Sequence, residues 1–410
     1  MRIWLVSAYD RPKGHSSRTY DFAQFLTKKG HQVTFFTNSF CHYNRVQKNF
    51  KGYFCFETLN NIDVVWLSTP GYSGNGVRRG LNMVSNFLQI LRFGFSASYQ
   101  LPDVIIGPSV PLPTSLAALL IARRLNAPFV FEIRDVWPEA LVLMGAMQKP
   151  GVTYLVFRAI EKFLYKKAAG IISTLPYVAE HISESVGEEK AYTLIPNPVD
   201  LLLFDEPCDI RPLSNKTIRI VYIGGFGVDH DVETIIRVAQ ELDRERPSKF
   251  EFELYGAGVN RSNCEQIVAE RRISNVRFHD PIEKSEIPKV QCNADILIAA
   301  VTPTDSYKFG LNLNKLGGYL ASGRPVIFIG DSPNDPVSDS GAWYTVPAQS
   351  VSEAILAIDK ILCMPLDEMM ARSAMARQFV ERELSINVLG ERFERSLDVF
   401  IEMYNRSDCR

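Results

Sequence analysis

Residues 218–227 read Ile-Arg-Ile-Val-Tyr-Ile-Gly-Gly-Phe-Gly. Six residues rich in β-branched and aromatic side chains run straight into three glycines within four positions. That is the signature of a buried strand ending in a turn whose backbone is left bare. A helical pattern follows over 232–242. The opening of the chain has the same plan. Residues 2–7 (Arg-Ile-Trp-Leu-Val-Ser) form a buried strand pattern. A loop then leads into an amphipathic helix over 17–29, with Tyr20, Phe22, Ala23, Phe25 and Leu26 available for packing and Gly30 as a helix stop. Outward from these two starts, strands at 32–37, 64–67, 104–106, 129–133 and 170–173 alternate with helices at 114–125 and 153–167. Strands at 250–255, 276–279, 296–299 and 325–329 alternate with helices at 264–271, 284–291 and 316–321. Continuous apolar strands separated by helices indicate parallel sheets covered on both faces. The expected class is α/β, with two Rossmann-like doubly wound domains over 1–205 and 206–384. A last helix, within 385–410, crosses back to the first domain. A ligand is expected in the cleft between them, at the carboxyl ends of the strands.

With 410 residues, 46% hydrophobic and 22% charged, the chain has ample material for such cores and is neither disordered nor collagen-like. A net charge of −1 excludes nucleic-acid binding by bulk electrostatics. The charge is uneven: residues 1–200 carry 21 Lys+Arg against 14 Asp+Glu, whereas 201–410 carry 24 against 32. A basic first half suits an anionic ligand or membrane. Seven widely spaced cysteines without a C-x-x-C read as reduced cytosolic thiols, not as disulfides or a zinc site. No signal peptide and no transmembrane segment are expected.

Three stretches carry the chemistry. The loop 9–18, containing Gly14 and His15, precedes a helix, where backbone N–H groups can meet an anion. Gly224, Gly225, Phe226 and Gly227, with Tyr255, Gly256 and Gly258 at the end of the next strand, make paired small-residue turns suited to a diphosphate. The spacing is not the dinucleotide G-x-G-x-x-G. The densest stretch is 307–325, Tyr-Lys-Phe-Gly-Leu-Asn-Leu-Asn-Lys-Leu-Gly-Gly-Tyr-Leu-Ala-Ser-Gly-Arg-Pro. Asn314 and Lys315 fall at a helix start. A lysine there opposes the helix dipole and is easier to explain beside a phosphate.

Several strings, in order, add to this. They are Gly14-His15-Ser16-Ser17-Arg18 with Gly30-His31-Gln32-Val33, Phe131-Glu132-Ile133-Arg134-Asp135-Val136-Trp137-Pro138-Glu139, Ile195-Pro196-Asn197-Pro198-Val199-Asp200 with Phe204, and Ala321-Ser322-Gly323-Arg324-Pro325-Val326. Over nearly its whole length the chain resembles the family 4 retaining glycosyltransferases of the GT-B fold. The R-D-x-W-P-E and N-K-L-x-x-Y-x-A-x-G-x-P-V strings are similar to a bacterial branch in surface-polysaccharide assembly, including L-fucosamine-type N-acetyl amino-sugar transferases. The resemblance implies donor contacts at Gly14, Gly224, Gly225, Phe226, Gly227, His230, Tyr255, Gly256, Gly258, His279, Pro281, Ile282, Gly310, Leu311, Asn312 and Asn314. It implies catalytic roles for Lys315, Asp135, Arg134 and His15, and an acceptor side at Arg18 and Glu139. The chain departs from the family where Gly310 and Gly318 replace two glutamates, where Gly225 and His230 replace the diphosphate-binding Arg and Lys, and where Arg134 replaces a histidine. Lys315, Lys308 or Arg324 must then meet the diphosphate.

The expectation is a cytoplasmic glycosyltransferase, peripheral on the inner face of the membrane. It would move a sugar from a nucleotide diphosphate-sugar, a UDP-sugar by preference, to a lipid-linked saccharide, with no metal and no other cofactor. A nucleotide-sugar 2-epimerase and a non-catalytic subunit of the same fold are the alternatives. Residues 77–95 carry an apolar band (Leu81, Met83, Val84, Phe87, Leu88, Ile90, Leu91) ended by Arg78, Arg79 and Arg92. It fits either an interfacial membrane helix or a helix packed on the sheet.

Overall fold

The computed structural model describes the chain except residues 13–17, 43–44, 75, 97–99, 144, 205–207, 214–216 and 409–410 and the side chains at 306, 407 and 408. It divides into two compact units, Met1–Pro196 with Ile386–Arg410, and Asn197–Ser385.

The first unit is an eight-stranded sheet of β1 (Arg2–Val6), β2 (Gln32–Asn38), β3 (Phe54–Leu59), β4 (Ile62–Leu67), β5 (Val104–Pro108), β6 (Phe129–Ile133), β7 (Gly170–Ser173) and β8 (Tyr192–Leu194). The order is β3-β4-β2-β1-β5-β6-β7-β8. All pairs are parallel except β3 with β4, a hairpin in which Leu59 faces Ile62. Its two-residue turn, Asn60-Asn61, has φ of +49° and +60°, the left-handed pair such tight hairpins need. The helices are α1 (Arg18–Lys28), α2 (Val77–Phe95), α3 (Leu112–Leu125), α4 (Glu139–Leu143), α5 (Val152–Lys167) and α6 (Val178–Val186). The last helix of the chain, Ile386–Asp408, packs in this unit, with Phe393 stacked on Phe22 of α1 at 4.6 Å.

Helix α2 is built inside out. Its buried side chains include Asn82 and Asn86, while Leu81, Val84 and Leu88 are each more than half exposed. The polar residues are held by a buried chain of hydrogen bonds. Asn82 donates to Pro70 O (2.8 Å), Asn86 donates to Asn38 Oδ1 (2.6 Å), and Thr114 donates to Asn86 Oδ1 (2.6 Å). Buried amides left unpaired are costly, so this ladder fixes the rotation of α2 and turns its apolar side outward. Of the band read from the sequence, Ile90 packs inward, Met83, Phe87 and Leu91 are half-buried, and Leu81, Val84 and Leu88 face out.

The second unit is a six-stranded parallel sheet of β9 (Ile218–Ile223), β10 (Phe250–Tyr255), β11 (Val276–His279), β12 (Ile296–Ala300), β13 (Val326–Ile329) and β14 (Tyr344–Val346), in the order β11-β10-β9-β12-β13-β14. Its helices are α7 (Val232–Glu245), α8 (Arg261–Glu270), α9 (Ile287–Asn293), α10 (Asn314–Ala321), α11 (Pro336–Ser340), α12 (Val351–Leu362) and α13 (Leu366–Phe379), with α14 the Ile386–Asp408 helix already placed. Strand order reverses at β9, so the turn 224–227 lies at the switch point of the sheet, where open α/β sheets bind ligands. The helix expected over 284–291 is instead a short 3-10 turn, Lys284–Glu286, followed by α9, because Pro288 lacks the N–H a continuous helix needs.

The thiol reading needs correction. Cys208 and Cys292 form a disulfide, with Cα atoms 5.0 Å apart and 84 residues between them in sequence. Nothing in that spacing signals pairing. Cys292 lies in α9, and the fold sets Cys208 beside it. Cys41, Cys55, Cys264 and Cys363 are free thiols.

Candidate functional site

At the carboxyl end of β9, Gly224 and Phe226 donate backbone N–H bonds to Tyr255 O (3.0 Å) and Ala257 O (2.9 Å). Gly256 donates to His279 O (3.1 Å). The glycines are therefore needed for close packing of the two turns. A Cβ on Gly256, whose φ is +143°, would lie 1.8 Å from Gly224 O, and one on Gly258 2.3 Å from Phe226 O. At Gly224 the missing side chain is replaced by a cation, for a Cβ there would meet Lys315 Nζ at 2.3 Å.

Lys315 sits in the first turn of α10, whose N-cap, Leu313, offers no capping side chain. Its ammonium donates to Tyr222 Oη at 2.9 Å and lies 4.2 Å from that ring's centroid. Burial pushes its pKa down to about 7, opposed only in part by the charge of Asp229. A cation held beside a phenol and bare backbone, with no carboxylate bonded to it, is poised to accept an anion. His230, beside Gly225, is held to a pKa of about 4 by burial and then by Lys315, so it is neutral at pH 7. Tyr319 receives the Ile223 N–H at 2.8 Å and locks α10 to the end of β9.

The other expected donor residues divide. The His279 ring stacks on Tyr255 at 4.3 Å, and its Nε2 is buried without a hydrogen-bond partner. Asn312 Oδ1 accepts from Asn197 N (3.3 Å), Asn314 is exposed at the start of α10, and Gly310 turns the chain at φ +115°. Pro281 is exposed and Ile282 half-buried against the core. The Phe226 and Leu311 side chains are buried in the core, leaving only their backbone to meet a ligand. Arg324 is no substitute for Lys315. It lies past the opposite end of α10, buried, and donates to Cys292 O. Lys308 is exposed and rests over Phe309. Gly318 faces Gln291 and Phe204, 3.5 and 3.7 Å from where a Cβ would stand.

In the first unit, Arg134 donates to Asp10 Oδ2 (2.8 Å), to Glu132 Oε2 (2.7 Å) and to Thr19 Oγ1. Arg18 donates to Glu132 Oε1 (2.8 Å) and to the carbonyl oxygens of Ile195 and Pro196. Both guanidiniums are turned into the protein, Arg18 almost wholly buried and Arg134 partly exposed. Together they tie the ends of β1, β6 and β8. Asp135 is exposed beside this cluster, with its backbone fixed by Ser109 Oγ. Glu139 accepts from Tyr154 (2.9 Å) and Trp137 is buried. Gly14 and His15 lie outside the described residues. Among the described residues, no three His, Cys, Asp or Glu side chains converge in a way that would hold a metal ion.

Residues 13–198 match the family model of the glycosyl transferase 4-like domain, and residues 217–363 that of glycosyl transferases group 1. The chain is a GT4-like glycosyltransferase with the GT-B fold. A probable glycosyltransferase, WbjE, of Pseudomonas aeruginosa is 22% identical over 68% of this glycosyltransferase and 71% of its own length. The fold is similar to that of a sucrose-phosphate synthase from Thermosynechococcus elongatus (TM-score 0.74, 16% identity, 96% of this chain and 97% of that one). It is also similar to Anabaena HepE in complex with UDP and glucose (TM-score 0.68, 12% identity, 97% and 99%).

Sequence reasoning about this glycosyltransferase missed Tyr222, Asp229, Asp10 and Glu132. Tyr222 could have been suspected, since a phenol on a strand entering a glycine turn is an unusual core residue. Glu132 is a carboxylate inside the apolar strand β6, which needs a buried partner. Replacing Glu132 with alanine leaves Arg18 and Arg134 short of a buried carboxylate. Urea unfolding should then show a loss of about 3–5 kcal/mol.

Proposed function

We propose that this glycosyltransferase transfers a sugar, with retention, from a UDP-sugar to a lipid-linked saccharide at the inner face of the cytoplasmic membrane, in surface-polysaccharide assembly. The observation that carries the donor half is the desolvated Lys315 ammonium between the first turn of α10 and the glycine turn of β9. As the anomeric C–O bond breaks, negative charge grows on the leaving diphosphate. A fixed cation and the positive end of a helix favour that charge. UDP is the preferred nucleotide because fold neighbours bind it, HepE among them. The membrane half rests on α2. Its outward Leu81, Val84 and Leu88, with Arg78 and Arg92 exposed along it, suit an anionic interface. No helix among the described residues is long and apolar enough to cross a membrane.

Thermal melts test the donor. UDP raises the melting temperature and NAD does not, with a stabilisation of about 2.7 kcal/mol at a hundredfold excess over Kd. A flat response to every nucleotide diphosphate supports the non-catalytic subunit instead. Vesicle sedimentation tests the membrane. The protein pellets with phosphatidylglycerol-containing vesicles, less so as salt rises, and the Arg78→Glu, Arg92→Glu variant loses most of that binding, since each basic group at such a surface contributes about 1 kcal/mol.

A further inference from the structure

In the first sheet the chain steps from β1 to β2 in one direction, and from β4 to β5, β5 to β6 and β6 to β7 in the other. Crossovers between parallel strands are right-handed. Helices α2, α3 and α5 therefore cover one face of the sheet, and α1 covers the opposite face, where α14 packs on it. Within their layer α2 packs on α3 and α3 on α5. All three run from the carboxyl ends of the strands back to the amino ends, so their first turns line up along one rim and their last turns along the other. Together they hold nine Lys and Arg but a single carboxylate. That one, Glu161, is 1% exposed and ion-paired with Arg158. Helices α1 and α14, by contrast, carry six carboxylates.

The outward surface of this layer has two bands. Leu81, Val84 and Leu88 of α2 and Val152, Leu155 and Val156 of α5 are each more than half exposed, with Leu120 of α3 exposed between them. In the second halves of the same helices stand Arg92, Arg123, Arg124, Lys162, Lys166 and Lys167, all exposed. Arg92 lies 3.5 Å over the Tyr53 ring and Arg124 4.7 Å over the exposed Phe95 ring. A cation in a last turn also answers the helix dipole. The dipole explains neither the missing carboxylates nor the leucines and valines left facing water. We propose that α2, α3 and α5 form one docking face for an anionic lipid bilayer. The apolar band lies at the boundary of headgroups and acyl chains, and the cationic rim lies among the headgroup phosphates. This face extends the α2 contact across two further helices. It rests on the membrane half of the proposed function and is independent of the donor half. It also sets the carboxyl ends of the sheet beside the apolar band, the side from which a lipid-linked saccharide has to arrive.

Vesicle sedimentation of the full chain tests the face with variants that leave α2 intact. Arg123→Gln with Lys162→Gln should weaken binding to phosphatidylglycerol-containing vesicles about 25-fold, since each basic group near such a surface is worth about a factor of five. Leu155→Ser with Val156→Ser should weaken it about tenfold or more, because two apolar side chains no longer leave water on docking. Vesicles of phosphatidylcholine alone should bind far less of every form. The rise in melting temperature with UDP should be the same in both variants as in wild type, which shows that they are folded. A gain of signal keeps the test usable if the serine variant folds poorly. In Leu155→Trp the emission should move to shorter wavelength when phosphatidylglycerol vesicles are added, against four native tryptophans that are all buried. Wild-type binding by the α3 and α5 variants, with loss only in Arg78→Glu, Arg92→Glu, overturns the proposal and confines the membrane contact to α2. An unshifted Leu155→Trp emission on vesicles that the protein does bind overturns it as well. No vesicle binding by wild type would overturn it together with the membrane half of the proposed function, and would leave the donor half standing.

Discussion

Lys315→Ala should slow single-turnover transfer about 10- to 200-fold. The expected figure follows from one charge-assisted hydrogen bond to the leaving diphosphate, about 1.5–3 kcal/mol if made mainly in the transition state. The neighbouring candidates among the described residues do not replace it. Gly225 has no side chain, His230 is neutral at pH 7, and Arg324 lies past the far end of α10. Lys315→Met keeps much of the volume and loses the charge, so it should match alanine. Lys315→Arg should rescue only in part, because a planar fork cannot occupy the space above Tyr222 as a point charge does. Gly224→Ala provides an independent check, since its Cβ would stand 2.3 Å from Nζ and push the ammonium away without removing it. Unliganded Lys315→Met should melt above wild type near pH 7 and approach it as pH rises towards 10.5, because the buried ammonium gains too little from Tyr222 to offset leaving water. Wild-type rates in Lys315→Ala would move the diphosphate to another cation, with Lys308 next to examine.

Much of the sheet architecture was legible because parallel strands buried on both faces leave an unmistakable run of apolar residues. The bounds read for strands 129–133, 170–173, 218–223, 250–255 and 276–279 are those of β6, β7, β9, β10 and β11. What escaped is instructive. β3, an edge strand with no fully buried residue, reads Phe-Cys-Phe-Glu-Thr-Leu and neither runs apolar throughout nor alternates, so its clearest signal is the Asn60-Asn61 turn. β8 has three half-buried residues and no periodicity to detect. In the site, glycines announced a place where backbones meet but not the reason. Gly256 and Gly258 serve turn-on-turn packing, and only Gly224 makes room for a functional group. Arg134 and Asp135 are neighbours in sequence, yet one is turned into an ion network and the other exposed. No spacing rule distinguishes them, because the difference is set by Asp10, more than a hundred residues away. The turn of α2 was equally hidden. Its apolar stripe is plain in the sequence, but the direction it faces is decided by Asn38 and Thr114 on other elements.

The same lysine sets opposite pH trends for stability and for donor binding. In the unliganded protein its pKa is about 7, below the usual lysine value near 10.5. The unfolded chain therefore binds more protons than the folded one between those values, and the Lys315 contribution makes the protein more stable as pH rises from 7 towards 10.5. Binding works the other way. A diphosphate needs the charged ammonium, and the competent fraction falls as pH climbs past 7. Apparent Kd is the intrinsic value divided by that fraction. Between pH 7 and 8.5 the affinity for a UDP-sugar should drop about 15-fold, with uptake of close to one proton per ligand at the upper end. A UDP-sugar is the right probe because its diphosphate stays fully ionised across this range, whereas the terminal phosphate of UDP titrates near its lower edge. Calorimetry in two buffers of different ionisation enthalpy reads the proton directly. His230 does not complicate the window, since its pKa of about 4 keeps it neutral throughout. In Lys315→Arg the guanidinium is charged at every pH in the range, so the slope should vanish even where affinity is reduced. A wild-type affinity that stays flat from pH 7 to 8.5 would show that Lys315 is already fully charged before the donor arrives.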